Sequence, residues 1–341
     1  MAGHQTLRDA CVSIGAALAI GAVGAASPAL AQESSQAELV DVAPVEEVRQ
    51  VGSDVFVRTD RWLRAFDCDG ALCFERATPP RLETPRDGIP DGTVARAAGD
   101  GVVAAWYTDP TTRYAHGILG DAIEAATLVA RDDGGNTLRF EAALNRVFED
   151  LTPRIADIDG DGFNDIVTIR SGLTTGAALA VFSIIDGELV ELAATSGIGR
   201  NNRWLNVAGI ADFDGNGTLD IAIVKTPHIG GTLEFWTLRG GRLTLIASVP
   251  GFSNHAIGST EQGLSAVADV NGDGAADLAV PDDRRSTLRL VSAADGRVMV
   301  LASIPLGGEV VTAIGTMTIG GAPAFLASRS DGALVLVRPG G

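Results

Sequence analysis

The chain is short of positive charge: 26 Lys and Arg stand against 43 Asp and Glu, for a net charge of −17. That balance excludes nucleic acid and anionic membrane as partners, since both are recognised by basic patches. Histidine is scarce, with four in 341 residues. No G-x-S-x-G, no H-E-x-x-H and no Cys/His nucleophile arrangement occurs, so catalysis finds little support. After Leu30 no stretch approaches the roughly 20 apolar residues that a membrane span needs. Cysteine is limited to Cys11, Cys68 and Cys73, and aromatics to 5%.

The one long apolar run lies at the start, from Val12 to Leu30, rich in Ala and Gly and ending in Ala29-Leu30-Ala31. An apolar run closed by an A-x-A site reads as a signal peptide over residues 1–31. The alternative is an uncleaved anchor, against which Pro28 and the small residues argue. The expectation is an exported protein, periplasmic or secreted, with no membrane span after cleavage. In an exported chain the remaining pair, Cys68 and Cys73, predicts a disulfide across the tight C-D-G-A-L-C turn. The other reading, a metal or redox pair, lacks the CxxC spacing.

What the sequence has in quantity is Asp and Gly, and they recur in register. D-I-D-G-D-G-F-N-D begins at Asp157, D-F-D-G-N-G-T-L-D at Asp212 and D-V-N-G-D-G-A-A-D at Asp269, spaced 55 and 57 residues apart. Such a period marks a repeat architecture. Positions 1, 3, 5 and 9 of each loop offer side-chain oxygens: Asp157, Asp159, Asp161 and Asp165; Asp212, Asp214, Asn216 and Asp220; Asp269, Asn271, Asp273 and Asp277. Position 7 would offer its carbonyl, from Phe163, Thr218 or Ala275. Oxygen-only ligands in this number favour Ca²⁺ over Zn²⁺ or Mg²⁺. Two carboxylates ~5 Å apart repel by about 3 kcal/mol at an effective dielectric of 20, so an empty four-carboxylate loop carries a cost that a cation removes. About three structural Ca²⁺ ions are therefore predicted. The EF-hand is rejected: its position 12 requires Glu, and here that position is Thr168, Ile223 or Val280.

Between the loops the chain alternates short apolar runs with Gly, Asp and Pro, the signature of strands. Four strands in 55 residues fit one propeller blade. The prediction is an all-β fold, a β-propeller of about six four-stranded blades, with seven possible. The propeller would occupy residues 51–341, with calcium-loop blades over about 150–310, behind an acidic linker or closing strand at 32–50. A further copy, Thr312 to Ala327, aligns without gaps to Ser265 to Val280, its ligand positions replaced by Thr316, Thr318, Gly320 and Ala324. That unit ends with Ala333 to Val337 and has only three strands. Leu39 to Val42, or Asp54 to Arg58, is expected to supply the fourth and remove the open edge. One segment breaks the rhythm: Phe140, Ala143, Leu144, Val147 and Phe148 follow helical spacing, which predicts a short inserted helix, with an irregular strand as the alternative.

The three loops and the strands behind them resemble the FG-GAP/VCBS repeats of integrin-α-like β-propellers, specifically over about residues 150–282 and by alignment to the C-terminus. The resemblance implies a propeller and a nine-residue calcium loop between the first two strands of a blade. It does not by itself imply adhesion or any other role.

Alternation within a blade places the calcium loops on one face and the inter-blade segments on the other. On that second face Arg203, Trp204, His228, Asn254 and His255 are candidate ligand contacts at the mouth of the central channel, an exposed Trp beside Arg and Asn being suited to a sugar or peptide. The alternative is that Trp204 packs against the next blade and the histidines bond the backbone. The leading functional expectation is an exported, calcium-stabilised binding module for a protein or polysaccharide. The competing expectations are an extracytoplasmic lyase or hydrolase acting on an acidic polysaccharide through this face, and a surface adhesion component.

Overall fold

A computed structural model describes residues 35–340, so the signal-peptide expectation, with Cys11, falls outside the described residues. The protein is all-β and antiparallel except for one short parallel pairing, Phe163↔Asp100 and Asn164↔Gly101; the one helical element among the described residues is a 3₁₀ turn at Ala294–Gly296. After β1 (Gln36–Val40), the strands β2 (Glu47–Val51), β3 (Asp54–Arg58), β4 (Trp62–Cys68) and β5 (Ala71–Arg76) pair in order as a meander. A second meander follows in β6 (Ala95–Arg96), β7 (Asp100–Thr111), β8 (Glu124–Asp132) and β9 (Thr137–Glu141). Next come β10 (Arg146–Phe148) and a third meander of β11 (Arg154–Ala156), β12 (Phe163–Gly172), β13 (Gly176–Ile185) and β14 (Glu188–Ala194). Two four-stranded sheets complete the repeats: β15 (Leu205–Ala211), β16 (Asp220–Lys225), β17 (Thr232–Arg239) and β18 (Arg242–Pro250), then β19 (Ala266–Ala268), β20 (Asp277–Pro281), β21 (Thr287–Ser292) and β22 (Met299–Pro305).

The last three strands are β23 (Gly315–Ile319), β24 (Ala322–Ser328) and β25 (Leu334–Arg338), and β1 lies antiparallel on β25 from Gln36↔Arg338 to Val40↔Leu334. The first strand thus covers the edge that three strands alone would expose. Asp54–Arg58, the other candidate for that place, is β3 of the first sheet.

Central strands are buried on both faces, which explains their unbroken apolar runs. All of Gly176 to Ser183 in β13 is buried, as is Asp277 to Pro281 of β20. Fourth strands face solvent on one side and alternate, as in T-L-R-F-E of β9. Neighbouring sheets approach closely. A Cβ at Gly209 in β15 would stand 2.6 Å from Val267 of β19, and one at Gly315 in β23 would stand 2.6 Å from Val55 of β3, so both places demand glycine.

The helix expected over Phe140–Phe148 does not form. Phe140 ends in β9, a turn carries Ala142–Asn145, and β10 inserts between β8 and β12, with Phe148 opposite both Ala125 and Arg170. The apparent helical spacing arises because the bend returns Phe148 to the core beside Phe140 (6.4 Å between centroids), with Phe182 against both. Through β10 the second and third meanders join into one nine-stranded sheet. In the C-terminal copy the nine-residue loop is also gone. Thr316 and Thr318 belong to β23, and Gly320-Gly321, both at positive φ, close a two-residue hairpin.

Candidate metal loops and the opposite face

Each Asp/Gly loop joins the first and second strands of its sheet, and its first aspartate organises the backbone. Asp157 Oδ1 accepts from Gly160 N (2.8 Å) and Asp161 N (3.1 Å), and Oδ2 from Gly162 N (3.0 Å). Asp212 does the same for Gly215, Asn216 and Gly217, and Asp269 for Gly272 and Gly274. The position-5 side chain caps position 7: Asp161 to Phe163 N, Asn216 to Thr218 N, Asp273 to Ala275 N, all at 2.8–2.9 Å. The ninth residue closes the loop from its buried end. Asp165 Oδ2 accepts from Ile158 N, Asp220 Oδ2 from Phe213 N and Asp277 Oδ2 from Val270 N.

These carboxylates fit a cation. Asp157, Asp159 and Asp165 bring oxygens within 4.8 Å of one another, and so do Asp212, Asp214 and Asp220. Asp220 Oδ1 and Asp277 Oδ1 are buried without any donor, and a buried anionic oxygen left unpaired is costly unless a cation satisfies it. Burial pushes the carboxyls of Asp165 and Asp220 up to about 6 and raises Asp277 and Asp159 as well. The third loop differs at position 3, where Asn271 replaces the Asp of the other two and donates through Nδ2 to Asp273 Oδ2 (2.8 Å), so the three-carboxylate group of the other loops is not formed there among the described residues.

On the opposite face the five candidate contacts have different fates. Trp204 is not exposed, as the sequence reading had it, but 2% accessible. Its indole lies between sheets, with Nε1 donating to the Glu149 carbonyl (2.9 Å). Asn254 and His255 are also buried, Asn254 Nδ2 reaching Val207 O at 3.4 Å. His228 stacks on Trp204 (6.2 Å, 4° between planes) and meets His255 through Nε2···Nδ1 at 2.9 Å. Arg203 is half-buried beside them. None of the five borders the larger cavity of about 820 Å³ bounded by Val48–Gln50, Thr152–Arg154, Val207–Ile210 and Gln262. Arg203, Trp204 and His228 border a separate cavity of about 250 Å³, rimmed by Ile229 and Ile257, which are 60% and 71% exposed.

This cavity includes a residue that sequence reasoning passed over. His116 lines it, and its Nδ1 is bonded to the fully buried Glu149 carboxylate, whose other oxygen accepts from Ser171 Oγ. Burial and the neighbouring Glu149 push the nearby Glu124 up to about 9. Thirty-three residues separate His116 from Glu149, so only the fold reveals the pair. The predicted disulfide joins Cys68 to Cys73 across the β4–β5 turn, with Cα atoms 5.9 Å apart.

Residues 212–280 match the FG-GAP-like repeat family, from the start of the second Asp loop through the strand after the third. The chain therefore carries an FG-GAP-like repeat. No curated protein matches it. Among solved structures it is similar to the exotype rhamnogalacturonan lyase YesX, at 17% identity and a TM-score of 0.42, over 82% of this chain and 54% of that one. It is also similar to rhamnogalacturonan lyase YesW, at 14% identity and a TM-score of 0.43, over 88% and 66%. A third is the Bacillus licheniformis rhamnogalacturonan lyase PL11, at 16% and 0.42, over 87% and 66%. The chain thus spans between about half and two thirds of those proteins.

Proposed function

We propose that the protein is an exported, calcium-stabilised six-bladed β-propeller that acts as a binding module, its ligand taken on the face opposite the Asp loops. In this reading residues 1–31 are a cleaved signal peptide, the six four-strand meanders close into a ring, and β1 seals it. The Cys68–Cys73 disulfide fits an oxidising compartment. One Ca²⁺ per loop would be held by Asp157, Asp159, Asp161 and Asp165, by Asp212, Asp214, Asn216 and Asp220, and by Asp269, Asn271, Asp273 and Asp277. The ion supplies charge compensation where the loop turns, and the loop backbone is already arranged around the first Asp.

The observation that carries the binding reading is the cavity rimmed by exposed Ile229 and Ile257 and backed by Trp204 and His228. A concave site with apolar walls and a few fixed polar groups is the ordinary form of a ligand pocket. It sits where connections between sheets gather, free of the metal loops. The ligand class is a protein or polysaccharide. Capture from glycan and peptide arrays, with wild type compared against Ile257→Asp and Arg203→Ala, tests it. Loss of capture in the variants at unchanged melting temperature is expected; capture unaffected by both substitutions would place the ligand elsewhere.

A further inference from the structure

Resting on that binding reading, we propose that the cavity beneath Ile229 and Ile257 takes a single neutral, hydroxyl-bearing sugar ring, read by the two imidazoles of His116 and His228. The first ground is a concentration of rare residues. The three histidines among the described residues meet here: His116 and His228 line the cavity, and His255 packs edge-on to both Trp204 (4.6 Å) and His228 (5.1 Å).

The second ground is the hydrogen-bonding chain, which fixes what these rings offer. His255 Nε2 meets the Ser259 carbonyl at 2.9 Å, an oxygen that only accepts, so that nitrogen carries the proton. Burial holds both His255 and His228 neutral. His255 Nδ1 is then the acceptor, His228 Nε2 the donor, and His228 Nδ1 is left as a lone pair. His116 follows by a separate route. Glu149 accepts from Ser171 Oγ on one oxygen and meets His116 Nδ1 on the other, and burial raises its carboxyl as it does that of Glu124. His116 Nδ1 is committed to Glu149, which leaves Nε2 without a hydrogen-bond partner among the described residues. Each of these two rings thus has one nitrogen tied into the interior.

The lone pair of His228 Nδ1 selects a ligand that donates. Hydroxyl groups do so; a carboxylate or a peptide carbonyl meets that nitrogen lone pair to lone pair. No carboxylate borders the cavity, and the net charge of −17 opposes an acidic polymer. Ile118, Ile229 and Ile257 supply the apolar walls that the C–H face of a ring needs, while Arg203 and Thr226 add donors for its oxygens. A volume of about 250 Å³ lies below the usual range for drug-sized ligands, which suits one ring rather than an extended chain. The lining is also strained. Thr226 and Asn202 both stand at φ 52°, and for a β-branched residue that conformation persists only where its surroundings impose it.

The test uses the calcium-loaded chain and ligand-observed NMR with neutral methyl hexosides, the methyl uronide of the same ring, an apolar-peptide panel, and Zn²⁺. Binding of a neutral hexoside, weakened about tenfold by His228→Leu and by His116→Leu, is expected from the loss of one buried hydrogen bond each. Ile257→Asp, at the exposed rim, should abolish it without changing the melting temperature, which guards against a folding artefact. Preference for the uronide or a peptide, sensitive to Ile257→Asp, would overturn the sugar assignment and leave the binding reading standing. Zn²⁺ binding alone, or no ligand of any class on this face, would overturn both.

Discussion

The indole Nε1 of Trp204 donates to the backbone carbonyl of Glu149 at 2.9 Å, both residues buried. This bond ties the start of β15 to the end of β10, and it turns the residue that looked most like a ligand platform into a strut behind the cavity. Truncating a buried Trp removes packing and leaves a carbonyl unpaired. Trp204→Ala should cost about 3–5 kcal/mol, and Trp204→Phe, which keeps most of the packing, about 1–3 kcal/mol from the orphaned carbonyl. Urea unfolding measures both. A loss under 1 kcal/mol for Trp204→Ala would mean that the ring is not structurally committed.

Calcium removal should lower stability, and the loops should differ. A ligand at a hundredfold excess over its Kd stabilises by about 2.7 kcal/mol per site, so EDTA should lower the melting temperature and added Ca²⁺ restore it. Asp165→Ala takes away the residue that closes the first loop through Ile158 N, and equilibrium dialysis should then find one Ca²⁺ fewer. The third loop, where Asn271 is engaged with Asp273, should form the weakest site in a calorimetric titration. Identical melting with and without EDTA would remove calcium from the folding account.

The loops and the central strands could be read from the chain because their causes are local. Carboxylates at positions 1, 3, 5 and 9 impose a turn, and strands covered on both faces need unbroken apolar runs such as A-A-L-A-V-F in β13. The segment 137–148 misled because Phe140 and Phe148 meet through a bend rather than through a helix turn. In the C-terminal copy the loss of the carboxylates freed the chain to use a Gly-Gly hairpin, and an ungapped alignment does not register a change of turn. His116 and Glu149 escaped because their pairing depends on the second and third meanders sharing β10.

Acid should unfold the protein partly through the buried histidines. Burial above all lowers His228 to about 4 and His255 to about 3. A histidine with its pKa depressed by folding favours the native state above its unfolded value near 6.5, and that contribution is lost as the pH falls toward 4. By pH 5 the fully buried His255 accounts for roughly 2 kcal/mol, at about 1.4 kcal/mol per pH unit, and the partly exposed His228 for less because solvent screens it. In saturating Ca²⁺, His228→Gln should flatten the acid limb of the stability profile between pH 6.5 and 5. Parallel profiles for the variant and wild type would show that His228 protonates freely in the folded protein.

Glu124 should act with the opposite sign at the alkaline end. Burial first, then the charge of Glu149, lifts it to about 9. A carboxyl whose pKa is raised by folding gives its full stabilisation below the unfolded value near 4.5, and that contribution shrinks steadily until it is gone above pH 9. At neutral pH the native state already carries the cost of holding a proton that the unfolded chain would release. Glu124→Gln keeps the shape and stays neutral at every pH. The variant should therefore match wild type near pH 4.5 and exceed it increasingly from pH 6 to 9, levelling off beyond. Thermal melts across that range decide the matter. If the difference between the two proteins does not change with pH, Glu124 is ionised in the fold and burial does not hold its proton.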